Sequence, residues 1–435
     1  MSEIFKYISP NILLPIIIII LSLFMKMRLK DALMSGITLA IAFTSISLVI
    51  GFMFETIAPV AQKFAFKLDV IDLGFSPMVT ISFAWHFSIL FFPLQIILNL
   101  IMIHFNFTNI LNVDIFNIWT KAFTAAIVTV ISGSLIFGFI AAIIQILVEL
   151  KVAEKIKPRV EEMTGIEDIT TTHISIIQCI IMYPINNLLD KIPFIKNTKL
   201  DIEALKNSIG IFGEDSVMGF LIGMMLSIFS GYSLIESVEI AIKLAAALVL
   251  LPIIAKMFVK ALNPVSKVAK IFMENRYKNK DIVIGVEWTI LGSIGELWIV
   301  SVLLIPITLI LALIFSKLGF SSILPLAGII NPMVVVPALI ISNRNLLKML
   351  ILGTLITPIY LMVSTNIAPA ITELSKNINI IENESQLMSY YAFESPYFRW
   401  TLIKLFEFKI YGIISFITLI LLFIYFYNNF GNKKI

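Results

Sequence analysis

Charge is what this chain has least of. Of its 435 residues 14% are charged and 59% hydrophobic, with a mean hydropathy of +0.99, whereas roughly a quarter of the residues of a soluble domain are charged. That scarcity excludes an ordinary soluble enzyme. It also disposes of a nucleic-acid reading of the +4 net charge, because the basic residues stand beside apolar runs, where they orient a protein in its membrane. Cysteine is rarer still: Cys179 is alone, can make no internal disulfide, and reads as a small buried hydrophobe. The three histidines, His86, His104 and His173, have no metal-site spacing. No Walker glycine loop, Gly-x-Ser-x-Gly or His-Glu-x-x-His occurs, so no catalytic residue, cofactor or metal is expected. The apolar run 11–25 lacks a small-residue cleavage site and its basic cluster Lys26, Arg28, Lys30 follows it, which makes it a retained first span and not a signal peptide.

What the chain has is long apolar runs. A hydrocarbon core about 30 Å thick takes roughly 20 helical residues to cross. That rule gives eleven candidate spans, near 11–25, 35–57, 79–105, 122–150, 173–189, 217–232, 238–259, 289–315, 323–341, 347–368 and 411–427. With the N-terminus outside, the inside loops collect most lysines and arginines, among them Lys121, the run 256–280, and Arg344. The large outside loops carry acids such as Glu149 and Glu394. The charge rule therefore favours an outside N-terminus and a cytoplasmic C-terminus. The segment 256–280, apolar residues among lysines, reads as an amphipathic helix at the inner interface.

Two stretches echo one another. Pro59-Val60 leads to Asp69-Val70-Ile71-Asp72-Leu73-Gly74, and Pro264-Val265 leads to Asp281-Ile282-Val283-Ile284-Gly285. Each follows two apolar runs, and each precedes a short, hydroxyl-bearing stretch ending at Trp85 or Trp298. Five spans precede the connection near 191–215 and five follow it, and an odd number per copy inverts the second copy. The expected fold is an all-α polytopic membrane protein of about eleven transmembrane helices: two inverted five-span repeats, 1–190 and 191–370, then an outer loop and final span, 371–435. The stretches after Gly74 and Gly285 are expected as re-entrant hairpins, since irregular backbone at membrane depth persists only where protein or a water-filled cavity satisfies it.

Polar residues near membrane depth are costly and mark candidate sites. Asn112, Asp114 and Asn117 present acceptors and amide donors suited to a hydroxyl-rich solute, although Asn112 or Asp114 also suits a helix cap. His173, followed by Ser175 and Gln178, places an imidazole and an amide near one face. Glu214 opens the sixth span, where a carboxylate also suits a helix N-terminus. Ser76 lies at the first hairpin break, and Glu287 and Glu296 lie in the second hairpin, where either also suits the interface, paired with a lysine. These eight, Ser76, Asn112, Asp114, Asn117, His173, Gln178, Glu214 and Glu287, are the candidate substrate-binding residues.

The phrase Asn112-Val113-Asp114-Ile115-Phe116-Asn117-Ile118-Trp119, with Phe212-Gly213-Glu214 before Gly219-Phe220 and Ile284-Gly285 before Ile305-Pro306-Ile307-Thr308-Leu309, resembles the galactitol-specific IIC components of the bacterial phosphotransferase system over nearly the whole chain. The resemblance implies a homodimeric permease of the bacterial cell membrane, with a core domain that carries the sugar past a scaffold domain in an elevator-like motion. It implies cytoplasmic partners, a IIB subunit phosphorylated on cysteine and recharged through IIA, that phosphorylate the emerging substrate. The chain departs from the family pattern at Thr171-Thr172-His173, where a Pro-His-Gly phrase is expected, and at Gly292-Ser293, where Gly-His is. Galactitol, other polyols and ketohexoses therefore all stand as substrates. The alternative is an ion-coupled secondary transporter, with Asp114, Glu214 or Glu287 carrying protons.

Overall fold

The computed structural model describes residues 10–62, 70–114, 117–198, 215–276, 281–325, 327–377 and 387–431. Helix dominates, because apolar segments cut off from water must satisfy their own backbone. A helix pair, α1 (Pro10–Phe24) and α2 (Leu29–Gln62), opens the chain. After the short α3 (Phe75–Ala84) and α4 (Phe91–His104) come α5 (Ile118–Ser132), α6 (Leu135–Thr164) and α7 (Cys179–Leu189). A second pair, α8 (Asp215–Phe229) and α9 (Leu234–Arg276), leads into α10 (Gly295–Lys317), α11 (Pro332–Ser342) and α12 (Leu346–Asn377). Finally come α13 (Pro396–Phe406) and α14 (Ile410–Asn429).

Among the described residues, five helices are long and apolar enough to cross a bilayer, or six if the pair Pro77–Ala84 and Ser88–His104, bent by 87°, counts as one span. This differs from the eleven spans expected, and the differences have local causes. The run 122–150 is not one span. Gly133 takes φ 68° as the left-handed cap of α5, and the chain turns back into α6. The run 173–189 begins as a 3-10 helix, Ile174–Gln178, and in 323–341 helix starts only at Pro332, where Asn331 caps it by accepting from the Met333 amide at 3.0 Å. Of the segment 256–280, expected as an amphipathic helix, residues 256–276 continue α9, whose 43 residues extend roughly 65 Å at 1.5 Å per residue.

The all-α expectation also misses five short strands: β1 (Val70–Asp72), β2 (Ile110–Asn112), β3 (Ile169–Thr171), β4 (Val283–Val286) and β5 (Leu387–Ser389). They are exchanged between the halves of the chain. β4 lies parallel between β2 and β3, while β1 lies parallel to β5 and bridges Ile323 on its other side. The Val283 amide donates to Asn109 O at 3.0 Å and the Val70 amide to Ser322 O at 3.1 Å, and the same interval separates Val70 from Val283 as Asn109 from Ser322. The two stretches that echo in sequence thus each supply a strand to the other half.

Both glycines of the echo are demanded, one by its backbone conformation and one by lack of space. Gly74 takes φ 78°, a left-handed conformation that L side chains rarely adopt. Gly285, mid-sheet, has no room: a Cβ there would lie 2.3 Å from Thr172 Cγ2 and 3.0 Å from Ile110 Cγ2. Gly285→Ala is expected to cost about 1–3 kcal/mol, the usual cost of overpacking, read as a lowered melting temperature in detergent. An unchanged melting temperature would mean that the strands separate freely.

Candidate functional site

Parallel strands deliver their carboxyl ends to one edge of a sheet. Here that edge receives Asn112 from β2, Thr172 and His173 from β3, and Glu287 from β4. Asn112 is fixed first: its amide donates to Asn99 Oδ1 at 2.9 Å, and its Oδ1 accepts from the Asp114 amide and from Thr172 Oγ1, both at 2.9 Å. Asp114 Oδ1 accepts from the Asn117 amide at 3.2 Å, a turn ahead of α5 and not the helix cap expected of it, since the cap residue is Asn117 and has no side-chain cap hydrogen bond. Asn117 Nδ2 donates to Asp114 Oδ2 and, at 3.1 Å, to Glu287 Oε2. Glu287 Oε1 in turn lies 4.0 Å from His173 Nε2. One asparagine amide therefore joins two buried carboxylates from opposite halves of the chain.

Five of the eight candidate residues meet here. Gln178 does not join them; it ends its 3-10 helix and donates to Tyr360 Oη at 3.4 Å. Ser76 falls in the first turn of α3, its side chain outside the described ones, and Glu214 lies outside the described residues. Glu296 is buried and accepts from Arg344, at 2.8 Å from Nη2.

The cluster has open valences. Asn112 Nδ2 and Asn117 Oδ1 are buried without a partner among the described residues, and buried polar groups of that kind are rare unless a ligand or water completes them. Asp114 and Glu287 face a narrow cleft. Its other walls are apolar and come from different helices, Ile18 on α1, Leu39 and Phe43 on α2, and Phe258 on α9. Apolar walls with a few convergent polar groups are the usual form of a small-molecule site. Donors and acceptors in this set suit hydroxyl groups, each of which both gives and accepts.

Sequence reasoning missed the support behind the cluster. On α5, one face carries Asn117, Lys121 and Thr124 at helical spacing. Lys121 Nζ pairs with Glu149 Oε2 of α6 at 2.7 Å, both wholly buried, and Gln145 Nε2 donates to Glu149 Oε1 at 2.8 Å. Arg399 Nε donates to Thr124 Oγ1 at 3.1 Å and Nη1 lies 3.3 Å from Glu394 Oε2. Lys121 and Glu149, expected in an inside and an outside loop, lie instead within α5 and α6, and Glu394, in the connection between β5 and α13, is buried beside Arg399. A usable signal existed. Glu149 stands within an apolar run, and Gln95 and Asn99, four apart on α4, interrupt another; their amides hold Asp114 O at 3.2 Å and Ile110 O at 2.8 Å.

A larger cleft, with about 770 Å³ of empty space, opens at the opposite edge of the sheet and is lined by Asp168, Lys267 and Lys270. Asp168 pairs with Lys270, and with Lys157 at 3.1 Å; the Lys270 ammonium, ahead of that of Lys157, holds its carboxyl below the usual range. A depressed carboxyl stabilises the fold above its unfolded pKa of about 3.9 and loses that contribution as pH falls through the folded value. Melting temperatures of the wild type and Asp168→Asn are therefore expected to differ at neutral pH and to converge as pH falls below about 4. Curves that stay parallel through that window would contradict the pairing.

Strand ends, buried polar cluster and apolar spans together define a multi-pass membrane protein with a polar site in its interior. Residues 3–384 match the family of PTS system sugar-specific permease components, and the chain belongs to that family. It is similar to a "Putative permease IIC component" of Escherichia coli (strain K12), 28% identical over 413 residues, with 93% of each chain covered. It is also similar to the "PTS system galactitol-specific EIIC component" of the same strain, 27% identical over 415 residues, covering 93% of this chain and 91% of that protein.

Proposed function

We propose that this chain is the permease (IIC) component of a phosphoenolpyruvate-dependent phosphotransferase system. In this reading it carries galactitol or a related polyol or sugar to a cytoplasmic IIB subunit, recharged through IIA, that phosphorylates it. The observation that carries the reading is the buried set Asn112, Asp114, Asn117, His173 and Glu287, whose unpartnered donor and acceptor face hydroxyl chemistry. Family membership and a galactitol-specific relative support it. Uptake should require phosphoenolpyruvate and the partner subunits, and the product should be a phosphate ester. Free solute accumulating without those partners would sink the reading.

A second reading, ion-coupled secondary transport, draws on Asp114 and Glu287, neither of which pairs with a described lysine or arginine. Collapse of uptake by an uncoupler while phosphoenolpyruvate is maintained would favour it.

For the transport step we propose two inverted copies, 1–190 and 191–370, and an elevator-like motion of a core domain past a scaffold domain. The reciprocal strand exchange supports the copies. The cleft supports the motion, since the strand-end cluster forms one wall and α1, α2 and α9 form the other. A homodimer with outside N-termini and cytoplasmic C-termini completes the proposal.

A further inference from the structure

Ser175 lies two residues beyond His173 and is wholly buried. Its backbone N–H donates to His173 Nδ1 at 3.2 Å, and its hydroxyl lies 2.8 Å from the same nitrogen. A ring nitrogen that accepts an N–H carries a lone pair and no proton. The neutral imidazole is therefore assigned its proton on Nε2, the nitrogen that faces Glu287 Oε1 at 4.0 Å. That distance is too long for a direct hydrogen bond, but an oxygen between the two atoms reaches each at about 3 Å. The other Glu287 oxygen is already held by Asn117 Nδ2 at 3.1 Å, which leaves Oε1 as the open acceptor. With Nδ1 protonated instead, Nε2 and Oε1 would both be acceptors, and one hydroxyl proton would satisfy only one of them.

We propose that Ser175 is a positioning residue that holds His173 with its proton on Nε2, so that His173 and Glu287 read one substrate hydroxyl, which accepts from Nε2–H and donates to Oε1. The inference rests on the sugar-permease reading and deepens it. It sets a specificity rule: at one carbon the substrate must carry a group that both gives and accepts. His173 and Glu287 are 3% and 7% exposed, so a substrate lacking that hydroxyl leaves two desolvated groups unpaired, which is how polar sites discriminate strongly.

The test uses the purified full-length protein with galactitol and its monodeoxy and monodeoxyfluoro analogues as probes. At one position, removal of the hydroxyl is expected to weaken binding about tenfold or more, and fluorine, which cannot donate, should not restore it. That penalty should shrink in Glu287→Ala, which removes the acceptor, shrink in Ser175→Ala and return in Ser175→Thr, which keeps both contacts to Nδ1. Nitrogen-15 NMR of the three histidines, with His173 assigned by its loss in His173→Gln, should show an unprotonated Nδ1 in the wild type whether or not any probe binds. A protonated Nδ1, or a Ser175→Ala variant that weakens all probes equally, would overturn the inference. Wild-type binding of galactitol with no position standing out would overturn it and leave the permease reading intact, whereas no binding of any probe would count against both.

Discussion

Asn117→Ala is expected to abolish most sugar binding while leaving the protein folded. The Asn117 amide donates to both Asp114 and Glu287, at 3.1 Å to the latter, so its loss strips each of two buried carboxylates of a donor at once. A hydrogen bond to a charged group contributes about 1.5–3 kcal/mol, and a buried acceptor left unpaired costs at least as much as it had gained. Two such losses correspond to a drop in affinity of about a hundredfold or more. Stability should suffer less, because Asp114 Oδ1 still accepts the backbone amide of residue 117 at 3.2 Å. Titration calorimetry with galactitol beside thermal unfolding separates the effects. Near-wild-type affinity would show that the carboxylates face something other than substrate.

Lys121→Met is expected to destabilise the protein by about 3–5 kcal/mol, the range for removing one member of a buried ion pair. Its partner Glu149 is wholly buried at 2.7 Å, and its other oxygen has only the Gln145 amide. The cost comes from the orphaned carboxylate, not from the net contribution of the pair. Lys121→Met combined with Glu149→Leu should therefore recover much of the loss, since apolar replacement of a buried pair is often neutral or better. Denaturant or thermal unfolding of the two singles and the double reads the coupling. Simple additivity would contradict a direct pair. The singles should also weaken sugar binding, because α5 holds both Lys121 and Asn117.

The class, and the buried polar cluster that forms the candidate site, were more legible in the sequence than the path of the chain. Scarce charge placed the protein in the membrane, and the Asp69–Gly74 and Asp281–Gly285 phrases marked two corresponding stretches without showing that they form strands. Asn112, Asp114, Asn117, His173 and Glu287 stood out because polar residues at membrane depth need a reason. The strands themselves were hidden: each spans three or four residues, too short for an alternating pattern, and its partners come from the other half of the chain. The break at Ser132-Gly133-Ser134 was masked by apolar residues on both sides, so two helices passed for one span. Lys121, Glu149 and Glu394 misled for a related reason. A charge rule assigns them to loops, and only the structure shows that each is neutralised by a buried partner, Glu149 for Lys121 and Arg399 for Glu394.

The central claim is that the strand-end cluster binds a polyhydroxylated substrate for phosphorylation by a partner. It is tested most directly in membrane vesicles carrying the full chain, supplied with IIA, IIB and phosphoenolpyruvate, by measuring formation of galactitol phosphate. The account predicts phosphate ester from the wild type and loss of nearly all of it in Asn117→Ala at equal protein levels. Equal product from both, or free galactitol accumulating without the partner subunits, would contradict it.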